Sequence, residues 1–205
     1  MRLLILTVCF FTSSLGLAKG FVPTSFSANF EESFVSVATG KEKKTSGKID
    51  YKYPGNIRYE KTSPDPSTFI SNPEKSWYYV PPFVSGEEGQ VTVQKSNKLP
   101  ITKFLDSLMT GLEDSKIFKP TYKGHDLILA FEKSLQKEMT LKEVHLHATK
   151  DAKSVQKLSE FEKLTLVYTD GRKVNLKFID LKEGVNFPAG HFNFTVPAKT
   201  KVSTN

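Results

Sequence analysis

Apolar and polar residues alternate along most of this chain. Phe26, Ala28 and Phe30 alternate with Ser27 and Asn29, and Ile49, Tyr51 and Tyr53 with Asp50 and Lys52. A Pro54-Gly55-Asn56 turn leads into Ile57 and Tyr59, which are spaced by Arg58 and Glu60. Side chains on a strand repeat every two residues, so each run predicts a strand with one buried face. Further strands are predicted at 68–71, 76–80, 90–94, 126–131, 141–147, 161–168, 174–178 and 192–196, with turn residues between them. Asp170-Gly171, between two of these runs, is a strong hairpin signal. About eleven closely spaced strands predict a mainly β chain, built as an antiparallel sandwich or barrel.

One segment has a different period. In residues 100–112 the apolar positions are Ile101, Phe104, Leu105, Leu108, Met109 and Leu112. Their spacing is that of a single stripe on a helix, and Pro100 suits a first helical turn. The spacing predicts an amphipathic helix of about three turns. Its expected place is over one face of the sheet or in a barrel mouth.

The N-terminus has a different character. Met1-Arg2 is followed by an apolar stretch at 3–11, and Gly16 and Ala18 are the small residues of a signal-peptidase site. The stretch is too short to span a bilayer, which needs about 20 residues. We expect residues 1–18 to be a cleaved secretory signal and 19–205 to be one domain. Val8 precedes Cys9 where a lipobox wants a small residue, so no lipid anchor is expected. Cleavage removes Cys9, the chain's one cysteine, and with it any disulfide or cysteine-based zinc site.

The net charge is +7 over 205 residues. The lysines are spread along the chain, with one cluster at 41–44, and export argues against nucleic acid as the partner of this charge. The sequence has no G-x-S-x-G elbow, no S-x-x-K followed by the other penicillin-binding signatures and no Gly-rich phosphate loop. His145 and His147 share a strand face, but Val144, Leu146 and Ala148 take the apolar side, so the histidines are expected in solvent with no metal. An exported hydrolase using His125 or His191 is a weaker alternative. No enzyme activity, cofactor or metal is expected.

The feature that needs explaining is apolar. The chain has 16 Phe. Ile57, Tyr59, Phe69, Trp77, Tyr79, Phe104, Leu105, Leu108 and Leu112 are bulkier than the neighbouring turns require. They either pack against one another or line an apolar cavity beneath the helix.

Five pieces of the chain, in order, resemble the outer-membrane lipoprotein carrier family, LolA. Residues 26–30 (FSANF) resemble its opening F-x-A-x-F strand. Residues 47–60 (GKIDYKYPGNIRYE) are similar to its K-R-P-G-x-(hydrophobic)-R-W segment, and 69–81 (FISNPEKSWYYVP) to its L-V-S-D-G-K-x-x-W-x-Y-x-P signature. The helix around Leu105 and Leu108 falls where the family has its lid helices, and 192–197 (FNFTVP) resembles the closing F-x-F-x-x-P. The resemblance spans about 25–202. It implies an incomplete, half-open antiparallel β-barrel whose apolar cavity lies under an α-helical lid. It implies a soluble, monomeric periplasmic chaperone for triacylated lipoproteins. These would come from an inner-membrane ABC exporter and go to an outer-membrane receptor. The nine bulky residues above would then line the cavity and lid. An envelope sensor or receptor domain of the same fold is the competing reading.

Three departures accompany the resemblance. Tyr53 stands where the family has an Arg that latches the lid, which makes position 53 the expected latch with one phenolic donor in place of five guanidinium donors. Arg58 lies across a turn as the alternative donor. The family's first helix is longer than residues 20–24 allow. The tail after Pro197 is short, and the additional C-terminal strand of some members is expected to be missing.

Overall fold

The computed structural model describes residues 20–95, 100–112 and 116–204. The expected signal segment, with Cys9, lies outside the described residues. The described residues form one sheet of twelve strands. In chain order these are β1 (Ser25–Val35), β2 (Glu42–Lys52), β3 (Asn56–Ser63), β4 (Ser67–Ser71), β5 (Lys75–Val80), β6 (Gly89–Lys95), β7 (Phe118–Lys123), β8 (Asp126–Phe131), β9 (Leu141–Ala148), β10 (Phe161–Tyr168), β11 (Lys173–Glu183) and β12 (Thr200–Thr204). Their order across the sheet is β12-β6-β5-β4-β3-β2-β1-β11-β10-β9-β8-β7. Every pairing is antiparallel except β12 with β6, which is parallel. The outermost strands β12 and β7 do not pair with each other, so the sheet stays open: it is the half-open barrel that the sequence predicts, with one more strand.

Two short helices accompany the sheet. α1 (Pro100–Ser107) continues into a 3-10 turn at Leu108–Thr110, and α2 (Lys133–Met139) precedes β9. The stripe on α1 is buried as its spacing predicts: Ile101 is 7% exposed, and Phe104, Leu105 and Leu108 are fully buried. They join one core with the inward side chains of the sheet, among them Phe26, Phe30, Ile49, Tyr51, Ile57, Leu129, Val144 and Leu146. At Gly47 the chains come too close for any side chain. A Cβ there would stand 1.9 Å from the Glu60 carbonyl oxygen and 2.7 Å from the Phe30 ring. The bare backbone lets Phe30 cross it and stack on Tyr59 at 4.3 Å.

Two expectations need correction, and one strand is added. Residues 192–196 are not a strand. They belong to an irregular strap, 184–199, whose Phe192 is buried beside Phe187 (5.1 Å) and whose Phe194 rests on Tyr79 (5.2 Å). Ring packing on an outer face produces the same apolar spacing as a pleat. The C-terminal strand expected to be missing is present as β12, beside β6. β7 also went unread, because Pro120 argues against a strand; it is tolerated since β7 is an edge strand with β8 as its sole neighbour.

Candidate functional site

The turns at 36–41, 64–66, 81–88 and 169–172 all lie at one end of the sheet, as the alternating strand directions require. A cavity of about 320 Å³ opens there on the inner face. Ile101, at the start of α1, forms part of its wall, and Lys103 ties that end of the helix to Glu138 of α2 at 3.3 Å. The apolar lining comes from β1 (Phe34), β4 (Phe69), β10 (Leu166) and β11 (Val174, Leu176). Tyr59, Tyr78 and Tyr168 add rings with polar tips, and Ser67, Glu32, Lys61 and Arg172 complete the wall.

The nine sequence-predicted residues separate into three groups. Tyr59 and Phe69 line the cavity. Ile57, Phe104, Leu105 and Leu108 are fully buried, and Leu112 is packed against the same core, so the middle of the sheet is filled by α1 rather than hollow. Trp77 and Tyr79 face the opposite way. Tyr59 pairs with Phe69 and Phe69 with Tyr78, which puts Tyr78 on the cavity side and its neighbours Trp77 and Tyr79 on the outer face, where Tyr79 meets Phe194 of the strap. Sequence reading therefore missed Tyr78, Phe34, Ile101, Leu166 and Leu176. All but Phe34 lie in runs that the spacing assigns to strands or to the helix stripe, yet nothing in the spacing distinguishes a wall from a core.

The latch is also displaced. Tyr53 is 45% exposed. The hydrogen bond that pins α1 is two residues earlier, where the Tyr51 hydroxyl donates to Asp106 Oδ1 at 2.7 Å. The backbone N–H of Gly55 donates to the same oxygen at 3.2 Å. Burial, and then the adjacent Asp106, push the Tyr51 phenol far above its ordinary value, so it stays a donor at any physiological pH. Arg58 does not reach α1. It lies on the outer face, paired with Glu60 at 2.7 Å and donating to the His191 carbonyl oxygen at 3.4 Å.

Two histidine groups bear on chemistry. His191 Nε2 meets Asp50 Oδ2 at 2.8 Å, and the Ser27 hydroxyl donates to Asp50 Oδ1 at 2.6 Å. The carboxylate stands between serine and imidazole, so this is not a base-activated nucleophile. His147 meets Asp126 at 2.6 Å and His145 meets Glu143 at 3.1 Å, both partly exposed. Among the described residues no three His, Cys, Asp or Glu side chains group as a metal site would.

Comparison with known proteins gives the chain its relatives. Residues 23–195 match the family model described as Outer membrane lipoprotein carrier protein LolA. This protein belongs to the LolA family. An outer-membrane lipoprotein carrier protein from Dechloromonas aromatica is 27% identical over 190 residues, covering 85% of this chain and 79% of the relative. One of the same description from Yersinia enterocolitica is 27% identical over 173 residues, covering 84% and 78%. A solved LolA superfamily protein from Nitrosomonas europaea is similar at 12% identity and a TM-score of 0.43, with 84% of this chain and 91% of that one covered. No helix among the described residues is long and apolar enough to cross a membrane.

Proposed function

We propose that this LolA-family protein is a periplasmic lipoprotein carrier. In this reading residues 1–18 direct export and are removed, and the mature domain shields the acyl chains of a triacylated lipoprotein. It takes that cargo from an inner-membrane ABC exporter and hands it to an outer-membrane receptor. The observation that carries the reading is the largely apolar cavity on the inner face of the half-open sheet, at the end where α1 begins. Six of the nine exposed large hydrophobic side chains among the described residues stand at that same end: Val35, Val37, Tyr78, Val80, Phe83 and Val84. Phe83 is 99% exposed, which supports a surface that meets exporter, receptor or cargo.

The volume sets a condition. About 320 Å³ is near the lower bound of ligand pockets, and three acyl chains need more room than that. Cargo of that size requires α1 to leave the sheet, so that Phe104, Leu105 and Leu108 give way to acyl chains. Exchange of one apolar partner for another changes the free energy little. That suits a carrier, which must not trap what it carries. The test is native recovery from the periplasm followed by mass spectrometry. Lipoprotein is expected in roughly stoichiometric amount with the carrier. A periplasmic protein recovered free of lipoprotein overturns the proposal.

A further inference from the structure

We propose that the cavity takes an amphiphile whose acyl chain ends in an anionic group, and that Lys61 and Arg172 bind that group. The inference goes beyond the carrier reading: the lipid part of a triacylated lipoprotein carries no anionic group, so this ligand is a further, single-chain amphiphile that fits the cavity with α1 in place. A cavity that held only hydrocarbon would gain nothing from ionic walls, since burying charge is costly unless the charge is paired. Three ionic side chains nevertheless line this one.

Their pairing leaves a definite surplus. The Glu32 side chain is 12% exposed and its two oxygens are both engaged, one by the Tyr59 hydroxyl at 2.6 Å and one by Lys61 at 2.9 Å. Lys61 has three N–H donors and uses one of them on Glu32. Arg172 lies over the Tyr168 ring at 4.8 Å and gives its Nε–H to Asp170 at 2.6 Å. Its two terminal nitrogens make no hydrogen bond among the described residues. The unused capacity of the wall is therefore donor capacity on cations. Lys61 comes from β3 and Arg172 from the turn after β10, so they approach the cavity from different strands.

The tyrosines add to this. Burial first, and Glu32 second, push the Tyr59 and Tyr168 phenols above their ordinary values, so both stay protonated. An ammonium head would have to displace Lys61 from Glu32 while facing Arg172. A carboxylate or phosphate meets free guanidinium donors in a geometry suited to two parallel hydrogen bonds. Phe69, Ile101, Leu166 and Leu176 remain for the chain.

The test uses the full mature chain and four ligands of equal chain length: dodecanoate, dodecyl phosphate, dodecanol and dodecylammonium. Binding is followed by calorimetry at low and high salt. The expected result is that one or both anions bind about ten-fold tighter than the alcohol, a margin that shrinks as salt rises. A preference for one anion over the other upholds the proposal and identifies the head. Replacing both cations, Lys61→Met with Arg172→Met, should abolish the margin while dodecanol binds as before. Should that variant fail to fold, the salt dependence of the unaltered chain decides. Equal binding of anions and alcohol overturns the head-group proposal but leaves the carrier reading standing. Tighter binding of dodecylammonium does the same. Binding of none of the four overturns this proposal, while the carrier reading stands or falls on the recovery of lipoprotein.

Discussion

Asp50 is 2% exposed on the outer face of β2, where an isolated carboxylate would be costly. Burial alone would raise its pKa. Hydrogen bonds from Ser27, His191 and Lys48 outweigh burial and hold the carboxyl below its ordinary value. Because the folded value is depressed, the group stabilises the fold at any pH above its unfolded value of about 3.9. That contribution disappears as pH falls through the lower folded value. Asp50→Asn should flatten the acid limb of a stability-against-pH curve measured by denaturant unfolding, and loosen the strap that His191 anchors. An unchanged acid limb would show that Asp50 carries no such linkage. The cavity residues make a related point. Alternation puts Tyr78 and Tyr79 on opposite faces of β5, but the face that looks inward depends on how 72–74 sets the register with β4. Sequence reading chose Tyr79, and the pairing of Phe69 with Tyr78 reverses the choice.

At the scale of the element, α1 is held in two unequal ways. Its apolar stripe is legible in the sequence and supplies most of the attachment, since Phe104, Leu105 and Leu108 lie fully buried. Leu108→Ala should cost about 2–5 kcal/mol in urea unfolding, from lost burial plus the cavity left behind. Tyr51→Phe removes one hydrogen bond to Asp106 and should cost only about 0.5–1.5 kcal/mol. The informative measurement is hydrogen exchange: Tyr51→Phe should speed exchange in α1 while β1 and β2 stay protected. Slower or unchanged exchange in α1 would remove Tyr51 from the role of latch. The pin was not legible because it joins residues 55 apart in sequence, and only the docking angle of α1 brings Asp106 to the end of β2.

At the scale of the molecule, β12 and β7 are the two edges of the open sheet, and β12 covers the edge of β6 as a single parallel strand. Four of its five side chains are exposed, so it shields the edge of β6 more than it builds the core. Ending the chain after Lys199 should lower stability by about 1 kcal/mol or less. It should also promote self-association, visible by light scattering, because an uncovered edge strand invites pairing with another chain. A truncated chain that stays monomeric at high concentration would show that β12 has no protective part.

Periodicity alone determined ten of the twelve strands among the described residues, the stripe of α1 and the outward placing of His145 and His147, because each is a local consequence of where apolar groups fall on a pleat or a helix. The apolar surplus and the order of five motifs also pointed to the family. Tertiary structure alone decided which face each strand turns inward, that α1 fills the middle of the sheet, and that the free volume lies at one end between Tyr59, Phe69 and Leu166. Packed and lining residues have the same chemistry. What separates them is whether another side chain arrives opposite, and that depends on register and helix docking across tens of residues.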